Sequence, residues 1–242
     1  MTRAAGAGRG TELRELAADE IADQPMQWPV VAHRVLGRGA VSDFVDDRVG
    51  TPSGETMARQ YLLHPGAVGV IAWDDADRIA VVRQYRHPVG FRLTEPPAGL
   101  LDHPDENVVT AAARELAEEV GLRAARWQVL VDTFTSPGAN QESLRIFLAR
   151  DLAPAAAPDG FVADHEEADM EVCWADRADL VDAALAGRLQ NPTMVAGVLA
   201  LETARLSGRL DALRPADAPW PAREAWRARR AELAAIGYGD RA

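Results

Sequence analysis

The sequence contains no lysine: all 26 of its basic residues are arginine. That absence excludes a phosphate-binding P-loop lysine and any Schiff-base lysine. Cys173 is the only cysteine, so no intrachain disulfide can form, and a buried thiol in a reducing cytosol is expected. Positive charge as a whole is scarce. Against the arginines stand 37 Asp and Glu, for a formal net charge of −11, which argues against sequence-independent binding to nucleic acid, because that needs a basic face. No apolar run approaches the roughly 20 residues that span a bilayer. The stretch MTRAAGAGRGTELRELAADE lacks a hydrophobic signal segment and turns acidic early, so a cytoplasmic protein with no membrane partner is expected. The five histidines have no zinc-ligand spacing with Cys173.

What the chain does have is a hydrophobic share of 48 % over 242 residues, enough for one substantial packed domain with extensions. Residues 1–26 are rich in Ala, Gly and Glu without a strong apolar pattern and form a frayed or marginally helical extension. From 27 to 64 the runs VVAHRVLG, VSDFVDDRV and ETMARQYLL predict a small antiparallel sheet with turns at Gly39 and TPSG. AVGVIAW (67–73) and RIAVVRQY (78–85), joined by DDAD, carry a hairpin signal. A short strand is expected over 92–95, leading into the turn PPAGLL. WQVLVDTF (127–134), SLRIFLAR (143–150) and MEVCWA (170–175) read as further strands, with a long loop over 151–168. DRADLVDAALAGR, NPTMVAGVLALETARLSG and PAREAWRARRAELAAI read as helices.

The run GLLDHPDENVVTAAARELAEEVGL from Gly99 to Leu122 is the most informative. It predicts a helix from about Asp105 to Val120, with Pro104 at its start and Gly121 as C-terminal cap. At about 100° per residue, Glu115, Glu118, Glu119 and Ala111 share one stripe, while Val109, Ala112, Leu116 and Val120 share the adjacent one. Like charges three and four residues apart repel. A divalent cation would offset that repulsion, since hard cations take carboxylate oxygens.

These residues resemble the Nudix box, in which Gly, five residues, Glu and seven residues precede Arg-Glu-aliphatic-any-Glu-Glu-any-Gly-aliphatic. This chain supplies Glu106, seven residues, and Arg114-Glu115-Leu116-Ala117-Glu118-Glu119-Val120-Gly121-Leu122. One departure is visible: six residues separate Gly99 from Glu106, and the extra one falls in the loop LLDHPD, where insertion is tolerated. QYRH (84–87), EPPAGLLD (95–102), SPG (136–138) and HEEADM (165–170) resemble the ADP-ribose pyrophosphatase branch, including a proline, Pro137, about fifteen residues beyond the box.

The resemblance implies an α/β fold, the Nudix α/β/α sandwich with a mixed sheet over 65–207. A small antiparallel β domain (27–64) precedes it, exchanged between subunits of a homodimer, and a helical extension (208–242) follows. It implies Mg²⁺- or Mn²⁺-dependent hydrolysis of ADP-ribose to AMP and ribose 5-phosphate. The cation would be held by Glu115, Glu118 and Glu119 with the Ala98 carbonyl. Glu167 is the expected general base and a further ligand, with Glu166 as the rival one residue away. Arg86, Arg59, Glu95 and Glu142 are expected to meet the substrate, while Arg114 and Glu106 tie the helix to its preceding loop. Phe44 and Tyr61 are packing residues that could instead stack on adenine. Hydrolysis of another nucleoside diphosphate sugar, or non-catalytic binding of ADP-ribose, are the alternatives.

Overall fold

A computed structural model of the protein describes residues 13–103, 106–156 and 170–235. The first three strands, β1 (Val30–Arg38), β2 (Asp43–Gly50) and β3 (Thr56–Leu63), form their own antiparallel sheet in the order β1-β2-β3. The turn between β2 and β3 uses Gly54 at φ +85°, a conformation that costs glycine nothing and other residues a steric clash.

β4 (Ala67–Ala72) is followed by β5 (Arg78–Arg86), but the two do not make the expected hairpin. A single bridge, Trp73 to Ile79, joins them, and each strand then enters a different sheet. The physical reason lies in β4 itself, every residue of which is buried. A strand apolar on both faces is stable only at the centre of a covered sheet. It therefore lies between β9 (Ser143–Pro154), to which it is parallel, and β7 (Ala98–Leu100), to which it is antiparallel. The full order is β11-β8-β9-β4-β7, with β8 spanning Leu122–Phe134 and β11 Arg214–Pro215. β5 instead pairs with β6 (Phe91–Glu95) and with β10 (Glu171–Asp176) in an antiparallel sheet of three.

Alternation along β4 sorts the core into two layers. Ala67 and Ile71 point toward Met194, Val198 and Leu201 of α3 (Pro192–Leu206). Val68, Val70 and Ala72 point toward Ala111, Ala112 and Leu116 of α1 (Val108–Val120). Helices thus cover both faces of a mixed sheet, the α/β/α sandwich expected from the sequence. α3 packs closely: a Cβ at Gly69 would collide with Thr193, and one at Gly197 with Ile71. Among the described residues the remaining α-helices are α2 (Arg177–Leu185) and α4 (Pro221–Ala235). Among the described residues no helix is long and apolar enough to cross a membrane.

Three boundaries differ from the sequence reading. α1 starts at Val108, where the Asn107 side chain accepts from the Val109 amide and caps it; Pro104 and Asp105 lie outside the described residues. The expected turn at PPAGLL contains the short strand β7, recruited by the exposed edge of β4. β8 and β9 each run further than expected, pairing Leu122 with Pro154, because Leu122, Ala124 and Leu152 pack on the α1-side core.

Candidate active site

A cavity of about 580 Å³ opens between the five-stranded sheet and the sheet of β5, β6 and β10. Its floor is β7 and the preceding Pro96, and α1 passes beneath with Glu115 and Glu119 reaching up. Its walls carry Arg86 and Gln84 from β5, Glu95 from β6, His64 from the end of β3, and Thr135 and Glu142 from either side of the β8–β9 connection.

Two contacts fix α1 against the floor. The Ala98 amide donates to Glu119 Oε2 at 2.9 Å. Gly99 lies directly on Glu115, so that a Cβ at position 99 would land inside the Glu115 carboxylate. Only glycine leaves room for that carboxylate, which explains the glycine opening the motif. Burial holds the Glu115 carboxyl above its ordinary range, and the Arg114 guanidinium partly counters this.

Arg114 does more than the sequence suggested. It binds Glu106 through Nε (3.2 Å) and Nη2 (3.3 Å), as expected of a tie to the preceding loop. Its Nη1 also donates to Glu115 Oε1 at 2.7 Å and to Glu118 Oε2 at 2.9 Å. The repulsion between these two carboxylates is therefore offset within the helix by its own arginine. The hydrogen bond to Glu106 is the main reason that the Arg114 pKa is raised. Glu118 accordingly faces Arg114, while Glu115 and Glu119 face the β7 floor. Among the described residues no three His, Cys, Asp or Glu side chains form a ready metal cage. The oxygens that meet at the floor are those of Glu115 and Glu119 beside the backbone of Ala98.

Of the substrate residues expected from the sequence, three line the cavity. Arg86 and Glu95 form a bidentate pair, Nε to Oε1 at 3.0 Å and Nη2 to Oε2 at 2.7 Å. Glu95 is buried, so the pair fixes the half-exposed arginine at the cavity wall. Glu142 accepts from Thr135 Oγ1 at 2.5 Å and lies 3.5 Å from His64 Nδ1. Arg59 is on β3, donates to the Ala58 carbonyl, and does not line the cavity. Phe44 is half-exposed on β2, and Tyr61 packs beside Val45, Leu63 and Leu233 with its hydroxyl on Asp47 at 2.8 Å. Glu167 and Glu166 lie outside the described residues.

Sequence reasoning missed His64, Gln84, Thr135, Asn191 and Thr193 as lining residues. Of the histidines, His64 and His103 line the cavity, while His87 packs edge-on against Tyr85. Nothing in the local pattern marks these residues, because they come together from separate strands, loops and the start of α3.

Comparison with known proteins bears on this arrangement. Residues 63–197 match the model of the NUDIX domain. The chain is 43 % identical over 206 residues to the ADP-ribose pyrophosphatase of Mycobacterium tuberculosis, covering 85 % of this chain and 97 % of that one. It is 34 % identical over 157 residues to the ADP-ribose pyrophosphatase of Bacillus subtilis, covering 65 % and 84 % respectively. Among solved structures, one described as an ADP compounds hydrolase superposes with a TM-score of 0.63 at 20 % identity, covering 78 % of this chain and all of the other.

Proposed function

The chain belongs to the NUDIX family of hydrolases, and on that premise we propose that it hydrolyses the pyrophosphate of ADP-ribose to AMP and ribose 5-phosphate with a divalent cation, Mg²⁺ or Mn²⁺. The observation that carries this reading is the meeting of Glu115, Glu119 and the Ala98–Gly99 backbone on the floor of a cavity whose wall holds Arg86.

The donor set suits a hard cation. Glu115 and Glu119 contribute carboxylate oxygens, the Ala98 carbonyl a neutral one, and the missing side chain at Gly99 keeps the first of these within reach of the strand. Glu118 belongs to the same set by its position in the motif and shares it with Arg114. A divalent cation held there supplies charge neutralisation to the pyrophosphate and makes a water more acidic.

The remaining roles belong to this chain's own groups. Arg86, oriented by Glu95, presents positive charge to a phosphate from the wall. Glu142 and Glu95 meet the ribose or adenine hydrogen-bonding groups. Glu167 takes the proton as a water oxygen forms its bond to phosphorus and the bridging P–O bond breaks toward the departing phosphate. Glu166 is the competing position for that base.

Arg59 stands away from the cavity of its own chain, and we assign it to the neighbouring cavity of a homodimer. Phe44 and Leu62 support that assembly: they pair across β2 and β3 and are 41 % and 43 % exposed, an apolar pair suited to cover by a second copy. The lone thiol supports a cytoplasmic setting.

The test is turnover of ADP-ribose, GDP-mannose and UDP-glucose with Mg²⁺, with and without chelator. ADP-ribose is expected to give AMP and ribose 5-phosphate in equal amounts, with chelator abolishing the reaction. Preference for either other sugar nucleotide would overturn the substrate, and tight ADP-ribose binding without cleavage would make the protein a binding module. Glu119→Gln is expected to abolish turnover with an unchanged circular dichroism spectrum.

A further inference from the structure

α4 lies beyond the stretch that matches the NUDIX domain, yet it holds the chain at the end of β7, the strand that floors the cavity. Its start is anchored by Arg145 of β9, which donates to the carbonyls of Ala218 and Pro219 and stacks on Trp220. Arg223, one turn in, is buried and sends its guanidinium the other way. Nη2 donates to the Leu101 carbonyl at 3.0 Å and Nη1 to the Pro65 carbonyl. Further along α4, Arg229 binds Asp47 of β2 at 3.0 Å, and Leu233 is fully buried against Val45 and Leu63.

The two carbonyls held by Arg223 occupy a decisive place. Leu101 directly follows β7, and Pro65 with Gly66 directly precedes β4. These two ends are already joined by the Leu101 amide on the Gly66 carbonyl at 3.0 Å. β7 is only three residues long and pairs with β4 through Ala98, Gly99 and Leu100. Glu119 holds its leading end at the Ala98 amide, and Arg223 holds its trailing end. A buried cation is costly without acceptors, and among the described residues no carboxylate is paired with this one. Burial pushes its pKa down to about 10, and Arg227 and Arg230 add like charge. The planar fork of arginine reaches the two carbonyls from two separate nitrogens in a fixed geometry, which the compact ammonium of lysine does not reproduce.

We propose that Arg223 is a positioning residue for the active site: from a helix outside the catalytic domain it fixes the register of β7, and so the Ala98 carbonyl and the Gly99 gap into which Glu115 fits. This rests on the metal-dependent reading above. α4 thereby joins the N-terminal sheet to the site, since the helix that holds β7 also holds β2.

Mn²⁺ binding to the full chain without substrate, followed by electron paramagnetic resonance, tests this. The relevant signal is the binding that Glu119→Gln removes. Arg223→Gln is expected to weaken it at least tenfold, and Arg223→Lys, which keeps charge and volume and so guards against a folding failure, by an intermediate factor. Arg227→Gln, an exposed neighbour, leaves it unchanged. For both Arg223 variants kcat falls while KM for ADP-ribose stays within twofold. A merely structural arginine would lower the melting temperature and leave the affinity of the folded protein untouched. Mn²⁺ affinity within twofold of wild type in both Arg223 variants overturns the inference alone. A wild-type chain with no such Mn²⁺ binding overturns the proposed function, and this inference with it.

Discussion

Gly99 shows how much a single missing atom sets in this site. The space its Cβ would take is filled by the Glu115 carboxylate, so Gly99→Ala must expel that carboxylate from the β7 floor. The backbone at position 99 needs no left-handed conformation, so the strand itself survives. A displacement of about 1 Å near a reacting centre can cost on the order of 100-fold. Gly99→Ala is expected to lose turnover on that scale with a melting temperature close to wild type, and activity within threefold of wild type would refute the fit between Gly99 and Glu115. Residue types in this region were readable in the sequence because the motif fixes their spacing. Their electrostatics were not. The sequence suggested a cation to offset the helix carboxylates; Arg114 also bridges Glu115 and Glu118, the first contact joining adjacent residues that helix periodicity sets apart.

At the scale of elements, α1 stands on its caps. Asn107 accepts from the Val109 amide at 2.9 Å, and Gly121 closes the other end at φ +65°. Removing an Asn cap costs about 1 kcal/mol, which is about 2–4 °C for a chain of this size. Asn107→Ala is expected to lower the melting temperature by that amount in a thermal scan, while Asn107→Asp holds it. Gly121 was legible as a terminus, and the helix's apolar stripe correctly foretold Ala112 and Leu116 in the core. The link between β4 and β5 was misread for a physical reason. Two apolar runs around DDAD resemble a hairpin, but period and turn chemistry do not record which faces will be covered. β4 needs a neighbour on each side and a helix on each face, and it finds them elsewhere in the chain. The role of α4 was equally hidden, since an arginine-rich helix reads as a solvated surface until its partners are known.

Across the whole molecule, a few arginines tie separate layers together. Arg177, at the start of α2, binds Asp77 at the β4–β5 corner through 2.7 and 2.8 Å contacts and Glu202 of α3 at 2.6 Å. The Arg177 hydrogen bond holds the Asp77 carboxyl below its ordinary value of 3.8, and Arg205, with Arg177, holds Glu202 below 4.5. A carboxyl with a depressed pKa in the folded state stabilises the fold above its unfolded pKa. It loses that contribution as pH falls through the folded value. The melting temperature is therefore expected to drop as pH falls below about 4.5, and less steeply in Arg177→Gln, where Asp77 has already lost its main partner. Parallel acid profiles for the two proteins would show that the tie contributes nothing. The corner at Asp77 also bears on the order in which the molecule assembles. β4 gains its second neighbour only with β9, where Ala67 meets Leu144, and β5 its second only with β10, where Arg78 meets Asp176. Closing such long loops costs entropy before any contact rewards it. The cavity between the two sheets therefore takes shape only after distant parts of the chain have met, and a nascent chain that ends before β10 carries the acidic helix but lacks a finished wall around it.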